Sequence, residues 1–180
     1  YPEALEVGGR LFATNCATCH GSDARGARGY PNLTDDAWLY GGSPEAIKTT
    51  LTNGRQGNMP PMGAAVGGEE GARKLALYVQ SLSKPGIADD PKKAEIIEQA
   101  KPKFAACAAC HGQDGTGNQA MGAPDLTDDA WLYGSDLDTI QQTIMNGRSG
   151  QMPAFGDQLS EERIHVLAAY VYSLSHESGK

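Results

Sequence analysis

Cys16-Ala17-Thr18-Cys19-His20 and Cys107-Ala108-Ala109-Cys110-His111 are two copies of one five-residue pattern, C-x-x-C-H. The pattern is the attachment signature for a c-type haem. Two thiols three residues apart each form a thioether to one vinyl group of a single porphyrin. The histidine that follows is then held beneath the ring, where its imidazole ligates iron. All four cysteines of the chain lie in these two motifs, so none remains for a structural disulfide. A thioredoxin-like dithiol needs a βαβ context, which the sequence lacks. A zinc ribbon brings its two cysteine pairs close together in sequence, and these are far apart. The reading is two covalently bound haem c groups, held through Cys16 and Cys19 and through Cys107 and Cys110.

Around the motifs the chain is an internal repeat. T-D-D-A-W-L-Y-G at 34–41 recurs unchanged at 127–134, N-G-R at 53–55 recurs at 146–148, and M-P at 59–60 recurs at 152–153. The segment at 75–83 recurs, nearly unchanged, at 167–175. The offset moves between 91 and 93, which marks two homologous modules with small loop insertions. The polar stretch from Lys84 to Pro91 carries two prolines and reads as a connection. The expected organisation is a first cytochrome c domain at 1–84, a linker at 85–93 and a second domain at 94–180.

Each module reads as helices with no alternating strand, so the expected fold class is all-α. A helix leads into each motif, over 2–15 and about 92–106, with Pro102 interrupting the second. A glycine-rich loop follows. T-D-D-A-W-L-Y-G has the form of a short helix, with Thr34 or Thr127 as cap and glycine as stop. A middle helix starts at Ser43-Pro44, and its counterpart at Ser135. Both stop at Asn-Gly. Ile47 and Leu51 match Ile140 and Ile144 at a spacing that puts each pair on one face. The closing helices span about 69–83 and 160–175. In the second, Ile164, Leu167, Val171 and Leu174 form an apolar stripe. The terminal helices of each module are expected to cross behind its haem.

His20 and His111 are the proximal ligands. For the sixth position the repeat offers Met59 and Met152, 39 and 41 residues after their histidines, each before proline in a glycine-rich loop. A thioether on a rigid loop suits His/Met iron, and such ligation raises the reduction potential. Met62 competes with Met59, but Phe155 stands at its counterpart, which favours Met59. Met121 and Met145 read as loop and helix packing. His165 lies off the apolar stripe and reads as solvent-facing, with a second axial histidine as the sharper alternative. His176 reads as exposed. Arg55 and Arg148 read equally well as partners of haem propionates or as ordinary surface arginines. Trp38 and Trp131, with Tyr40 and Tyr133, read as walls of the haem pockets or as core anchors.

The formal charge of −7 argues against nucleic acid and against a polybasic membrane anchor. No apolar run reaches the length of a membrane span. No secretory signal opens the sequence. Because haem is attached outside the bacterial cytoplasm, the expectation is a mature chain or one excised from something larger.

The two C-x-x-C-H-G modules, P-N-L-T-D-D-A-W-L-Y-G-G, N-G-R-x-G-x-M-P and the closing H-V-L-A-A-Y-V-Y-S-L-S resemble the dihaem subunit of cbb3-type cytochrome c oxidases, the CcoP/FixP family. The resemblance runs from about Gly9 to Ser175. Members carry membrane spans ahead of two class I cytochrome c domains, so the likeness here is to their soluble portion. It implies two tandem class I domains, with His20 and Met59 on the first haem and His111 and Met152 on the second. It also implies an electron relay, not an enzyme by itself, passing electrons from a donor cytochrome c to membrane oxidase subunits. The implied place is the periplasm, or the periplasmic face of the inner membrane. A free periplasmic dihaem carrier is the alternative. A dihaem peroxidase or gas-sensing module is a third, and it requires an open sixth position.

Overall fold

A computed structural model of the protein describes residues 2–176. Helix α1 (Pro2–Asn15) runs into the first motif, whose short helix α2 is Ala17–His20. Helix α3 (Pro44–Asn53) is capped by Ser43, whose Oγ accepts from Ala46 N at 3.1 Å. Strand β1 is Arg55–Met59, followed by α4 (Gly63–Val66) and α5 (Gly68–Ser83). A 3-10 turn over Pro85–Asp89 leads to α6 (Pro91–Ala100). A second 3-10 turn, Lys101–Phe104, contains Pro102 and separates α6 from α7 (Ala105–His111), the second motif. Helix α8 is Leu137–Asn146, β2 is Arg148–Met152, and α9 is Glu161–His176.

Four expectations need correction. The fold is mostly helical but not all-α, because β1 and β2 pair into a two-stranded sheet. T-D-D-A-W-L-Y-G is not a helix in either copy. Asn and Asp side chains at its start capture backbone N–H groups locally: Asn32 Oδ1 accepts from Thr34 N at 2.9 Å, and Asp35 Oδ1 from Ala37 N at 3.1 Å. Asp125 and Asp128 do the same for Thr127 and Ala130. Successive Asx turns compete with helix and win. The cap of α8 is Asp136, which accepts from Thr139 N at 2.9 Å, one residue after Ser135. Finally, the expected linker at 85–93 is shorter: residues from Pro91 on belong to α6, and Ile87 packs on an apolar cluster.

The chain forms two compact units, and they are not the two repeats. The first unit is Tyr1–Gln56 with Gly150–Lys180; the second is Gly57–Ser149. The chain passes from one to the other inside β1 and returns inside β2. The expected 1–84 and 94–180 division therefore describes the sequence repeat but not the packing.

In the first unit α1 packs on α9, and α3 packs on α9 as well. Its core is Phe12, Cys16, Ala24, Ile47 and Leu51 from the first repeat, with Ile164, Leu167, Ala168 and Val171 from the second. The helices α1 and α9 approach closely at Gly8, where a Cβ would fall 2.5 Å from Tyr170 Cβ and 2.9 Å from Val166 O. One turn on, the Phe12 and Tyr170 rings meet at 5.6 Å. Lys48 Nζ bonds Glu161 at 2.9 Å along the α3–α9 seam.

In the second unit α5 packs on α6 and α8. Its core joins Val66, Ala72, Leu75, Ala76 and Val79 of the first repeat to Ile97, Ala100, Phe104, Ile140 and Ile144 of the second. Tyr78 and Phe104 meet edge to face at 5.4 Å. Arg73 pairs with Asp138 and Gln141, and Lys103 Nζ donates to Val66 O at 2.8 Å. The terminal helices thus do cross, but each pair mixes the repeats. The physical reason lies in connection length. The segment between α5 and α6 is short, so these consecutive helices pack on each other. Helix α1 is then left to pair with α9.

Candidate functional site

In the first unit α1 delivers Cys16 into the core, and the last residue of α2 is the buried His20. His20 Nδ1 lies 2.9 Å from the carbonyl oxygen of Pro31. A carbonyl only accepts, so Nδ1 carries the proton and Nε2 is left with a free lone pair for a metal. The loop that brings Pro31 back is held by Gly26 N donating to His20 O at 2.7 Å and Leu33 N to Ala24 O at 2.8 Å. Gly26 has φ +75° and lies so close to Tyr30 and Pro31 that no side chain fits.

The second unit repeats the arrangement. His111 is buried at the end of α7, and its Nδ1 donates to Pro124 O at 3.1 Å. Gly117 N donates to His111 O at 2.8 Å, and Leu126 N to Gly115 O at 2.7 Å. The two proline carbonyls were not singled out from the sequence. The signal was present, since P-N-L and P-D-L precede the two T-D-D-A-W-L-Y-G copies.

None of the four cysteines is in a disulfide. Burial, and secondarily the neighbouring Cys19, pushes the Cys16 thiol up to about 11. Burial and Cys110 raise Cys107 in the same way. Trp38 packs on the cluster holding Cys16, and Trp131 on the cluster against which Cys107 lies.

The arginines are not plain surface groups. The Arg55 guanidinium sits 4.6 Å over the Tyr40 ring, and its Nε donates to Thr50 Oγ1 at 2.9 Å. Arg148 lies 4.3 Å over Tyr133 and donates to Thr143 Oγ1 at 2.9 Å. Among the described residues, Tyr40 Oη, Trp131 Nε1 and Arg148 Nη2 are buried with no hydrogen-bond partner. A buried donor without an acceptor is costly. An anionic oxygen group in each pocket, such as a propionate, would satisfy them with charge-assisted bonds. The residues therefore fit haem. They do not fit zinc, which takes four nitrogen or sulfur donors; among the described residues no three His, Cys, Asp or Glu side chains gather.

The methionines fall differently from the expected pairing. Met152 belongs to the first unit, where it packs on the cluster of Phe12, Cys16, Ile47 and Leu51. Beyond it, Phe155 N donates to Leu51 O at 2.9 Å and Gly156 N to Thr52 O at 3.1 Å. Met59 and Met62 belong to the second unit with His111. Met62 N donates to Ile144 O at 2.8 Å, the counterpart of the Phe155–Leu51 bond. Met62 thus occupies the Phe155 position, and Met59 the Met152 position. Met145 packs on the second core as expected, whereas Met121 is 55 % exposed and packs less than its reading required. His165 is exposed on α9, and His176 is exposed with its ring stacked 3.8 Å from Tyr172.

Two attachment motifs, each with an anchored histidine inside its own helical unit, define a c-type cytochrome with two haem c sites. The chain belongs to the family of cbb3-type cytochrome c oxidase subunit III, whose model matches residues 3–79 and 99–171. It is 52% identical over 177 residues to the cbb3-type cytochrome c oxidase subunit CcoP of Rubrivivax gelatinosus, covering 98% of this chain and 57% of that one. It is 46% identical over 189 residues to the subunit FixP of Azorhizobium caulinodans, covering 96% and 62%. It is 41% identical over 181 residues to CcoP of Cereibacter sphaeroides, covering 95% and 61%. The chain thus spans about three fifths of the length of these relatives. Among the described residues no helix is long and apolar enough to cross a membrane.

Proposed function

We propose that the protein is the dihaem electron relay of a cbb3-type oxidase, taking electrons from a donor cytochrome c at the periplasmic face and passing them toward the oxygen-reducing subunits. It performs no substrate chemistry of its own. His20 and His111 are the proximal ligands, and Met59 and Met152 supply the two sixth ligands. Cys16, Cys19, Cys107 and Cys110 form the thioethers. Arg55 and Arg148, with Tyr40 and Trp131, hold the propionates, and Trp38 helps wall the first pocket. Bound haem supplies a one-electron iron couple, which His/Met ligation sets at a raised potential.

The observation that carries this reading is the duplicated site: each unit has an Nδ1-anchored histidine and a Met-Pro loop. Both sixth positions are then filled, and a site with no open position carries electrons rather than a diatomic ligand. Carbon monoxide tests this. The native reduced holoprotein is expected to leave its visible spectrum unchanged under the gas. A carbon monoxide adduct at either haem would contradict the relay and favour a gas-binding or peroxidase role.

A further inference from the structure

We propose that Arg25, Arg28 and Tyr30 form a docking surface through which the first haem meets a redox protein whose contact face is acidic, and that the second haem has no such charge-steered surface. The inference rests on the electron-relay reading above and names the chemistry of one partner.

The loops that follow the two attachment motifs make an internal comparison. Each runs to the proline whose carbonyl holds the proximal histidine, Pro31 for His20 and Pro124 for His111. Each closes in a backbone hairpin. In the first, Tyr30 N donates to Ala27 O at 2.8 Å and Ala27 N to Tyr30 O at 3.1 Å, so Arg28 and Gly29 alone make the tip, with Gly29 at φ +86°. In the second, Asn118 and Ala123 make the same pair of bonds at 2.9 and 3.0 Å, around residues 119–122. This longer tip is where the repeat offset moves from 91 to 93.

The scaffold is shared and the side chains are not. Residues 21–30 carry Arg25 and Arg28, both exposed, and one acid, Asp23. Asp23 Oδ1 accepts from the backbone N of Arg25 at 3.2 Å, and among the described residues neither guanidinium is in an ion pair. Residues 112–123 carry no cation, and Asp114 is their only charge. Both loops present a large apolar side chain: Tyr30, 45% exposed, and Met121 are two of the three large hydrophobic residues exposed among the described ones. Arginine and tyrosine are enriched where proteins dock and in the residues that carry binding energy. In a chain of net charge −7, two cations at one tip reverse the sign locally. Such a patch attracts an acidic face and repels a basic one, over about 10 Å at ~0.1 M salt. The hairpin is already ordered, so docking on it costs little conformational entropy.

Position gives the patch an electrical use. Cys19, an attachment residue of the first haem, is exposed. Tyr30 directly precedes Pro31, whose carbonyl oxygen lies 2.9 Å from His20 Nδ1. A partner seated on the tip is therefore one residue from the group that orients the proximal ligand. An anionic membrane surface would also attract two arginines and a tyrosine, but it takes up no electrons and gives no reason for the patch to stand beside a haem attachment.

The test uses the dihaem holoprotein and hexacyanochromate(III), a redox-inert paramagnetic anion that stands in for an acidic face. In the reduced protein it should broaden the amide signals of residues 25–30 at concentrations that leave those of residues 118–123 sharp. Arg25→Gln/Arg28→Gln should abolish that selectivity. Kinetics give a second readout. Oxidation of the reduced variant by ferricyanide should be roughly threefold or more slower than wild type at low ionic strength, and the difference should close at high ionic strength. Oxidation by the cation hexaammineruthenium(III) should not slow. Equal broadening of both loops, or equal ferricyanide rates in variant and wild type, would overturn the proposal. Binding to phosphatidylglycerol vesicles that needs the two arginines, with ferricyanide rates unchanged, would assign the surface to a membrane instead. Failure of the relay reading is seen separately, as a haem that ferricyanide leaves reduced or that carbon monoxide binds, and it would remove the redox partner whatever the broadening pattern.

Discussion

The two units use nearly the same parts and assemble them by different routes. The second unit is one continuous stretch, Gly57–Ser149, in which α5, α6 and α8 meet across short separations. The first is discontinuous, and its α1–α9 crossing joins the two ends of the described chain. Joining distant segments is slower to achieve than joining neighbours, although the entropic cost grows only slowly with length. The second unit is therefore the one that can form first, and the first is completed only when α9 arrives. Details of the crossings differ too. In the first unit α1 is unbroken and meets α9 at a glycine; in the second, Pro102 breaks the leading helix, whose last residue before the break, Ala100, is buried.

The comparison is sharpened first by the cores. Leu75 and Leu167 are equivalent in sequence and both fully buried, in different units. Each Leu→Ala change should cost about 2–5 kcal/mol. The distribution of the loss is the informative part. Leu167→Ala should speed hydrogen exchange around Cys16–His20, in the opposite repeat, and leave Ala105–His111 protected. Leu75→Ala should do the reverse. If each substitution loosened the motif of its own repeat, the packing described here would be wrong. A smaller effect separates the crossings. Gly8→Ala drives a methyl into Tyr170 and should destabilise the first unit by roughly 1–3 kcal/mol. Ala100→Gly opens space in the second and should cost up to about 1 kcal/mol. Thermal unfolding of the two variants checks the order, and a stabilising Gly8→Ala would mean that α1 and α9 are further apart.

Much of the site was legible because it is local in sequence. The C-x-x-C-H motifs, the span of α1, the Ser43 cap and the Asn-Gly stops are all set by near neighbours, and they stand where the sequence put them. The misread pieces have identifiable causes. T-D-D-A-W-L-Y-G has helix signals, but its Asn and Asp side chains take the backbone N–H groups that a helix would need free. The strands R-Q-G-N-M and R-S-G-Q-M are polar, glycine-bearing and short, and each pairs with its own repeat copy. The exchange of partners had no sequence signal at all. Leu75, Ala76, Tyr78 and Val79 of α5 match Leu167, Ala168, Tyr170 and Val171 of α9, so either helix offers α1 the same face. Repeated sequence fixes which surfaces fit; connection lengths choose between identical ones.

The most direct test of the exchange is the nuclear Overhauser spectrum of the Phe12 ring in the holoprotein. Contacts to Tyr170, with Phe104 in turn contacting Tyr78, are the predicted result, from ring centroids 5.6 and 5.4 Å apart. Contacts from Phe12 to Tyr78, and from Phe104 to Tyr170, would show two self-contained repeats and contradict the account.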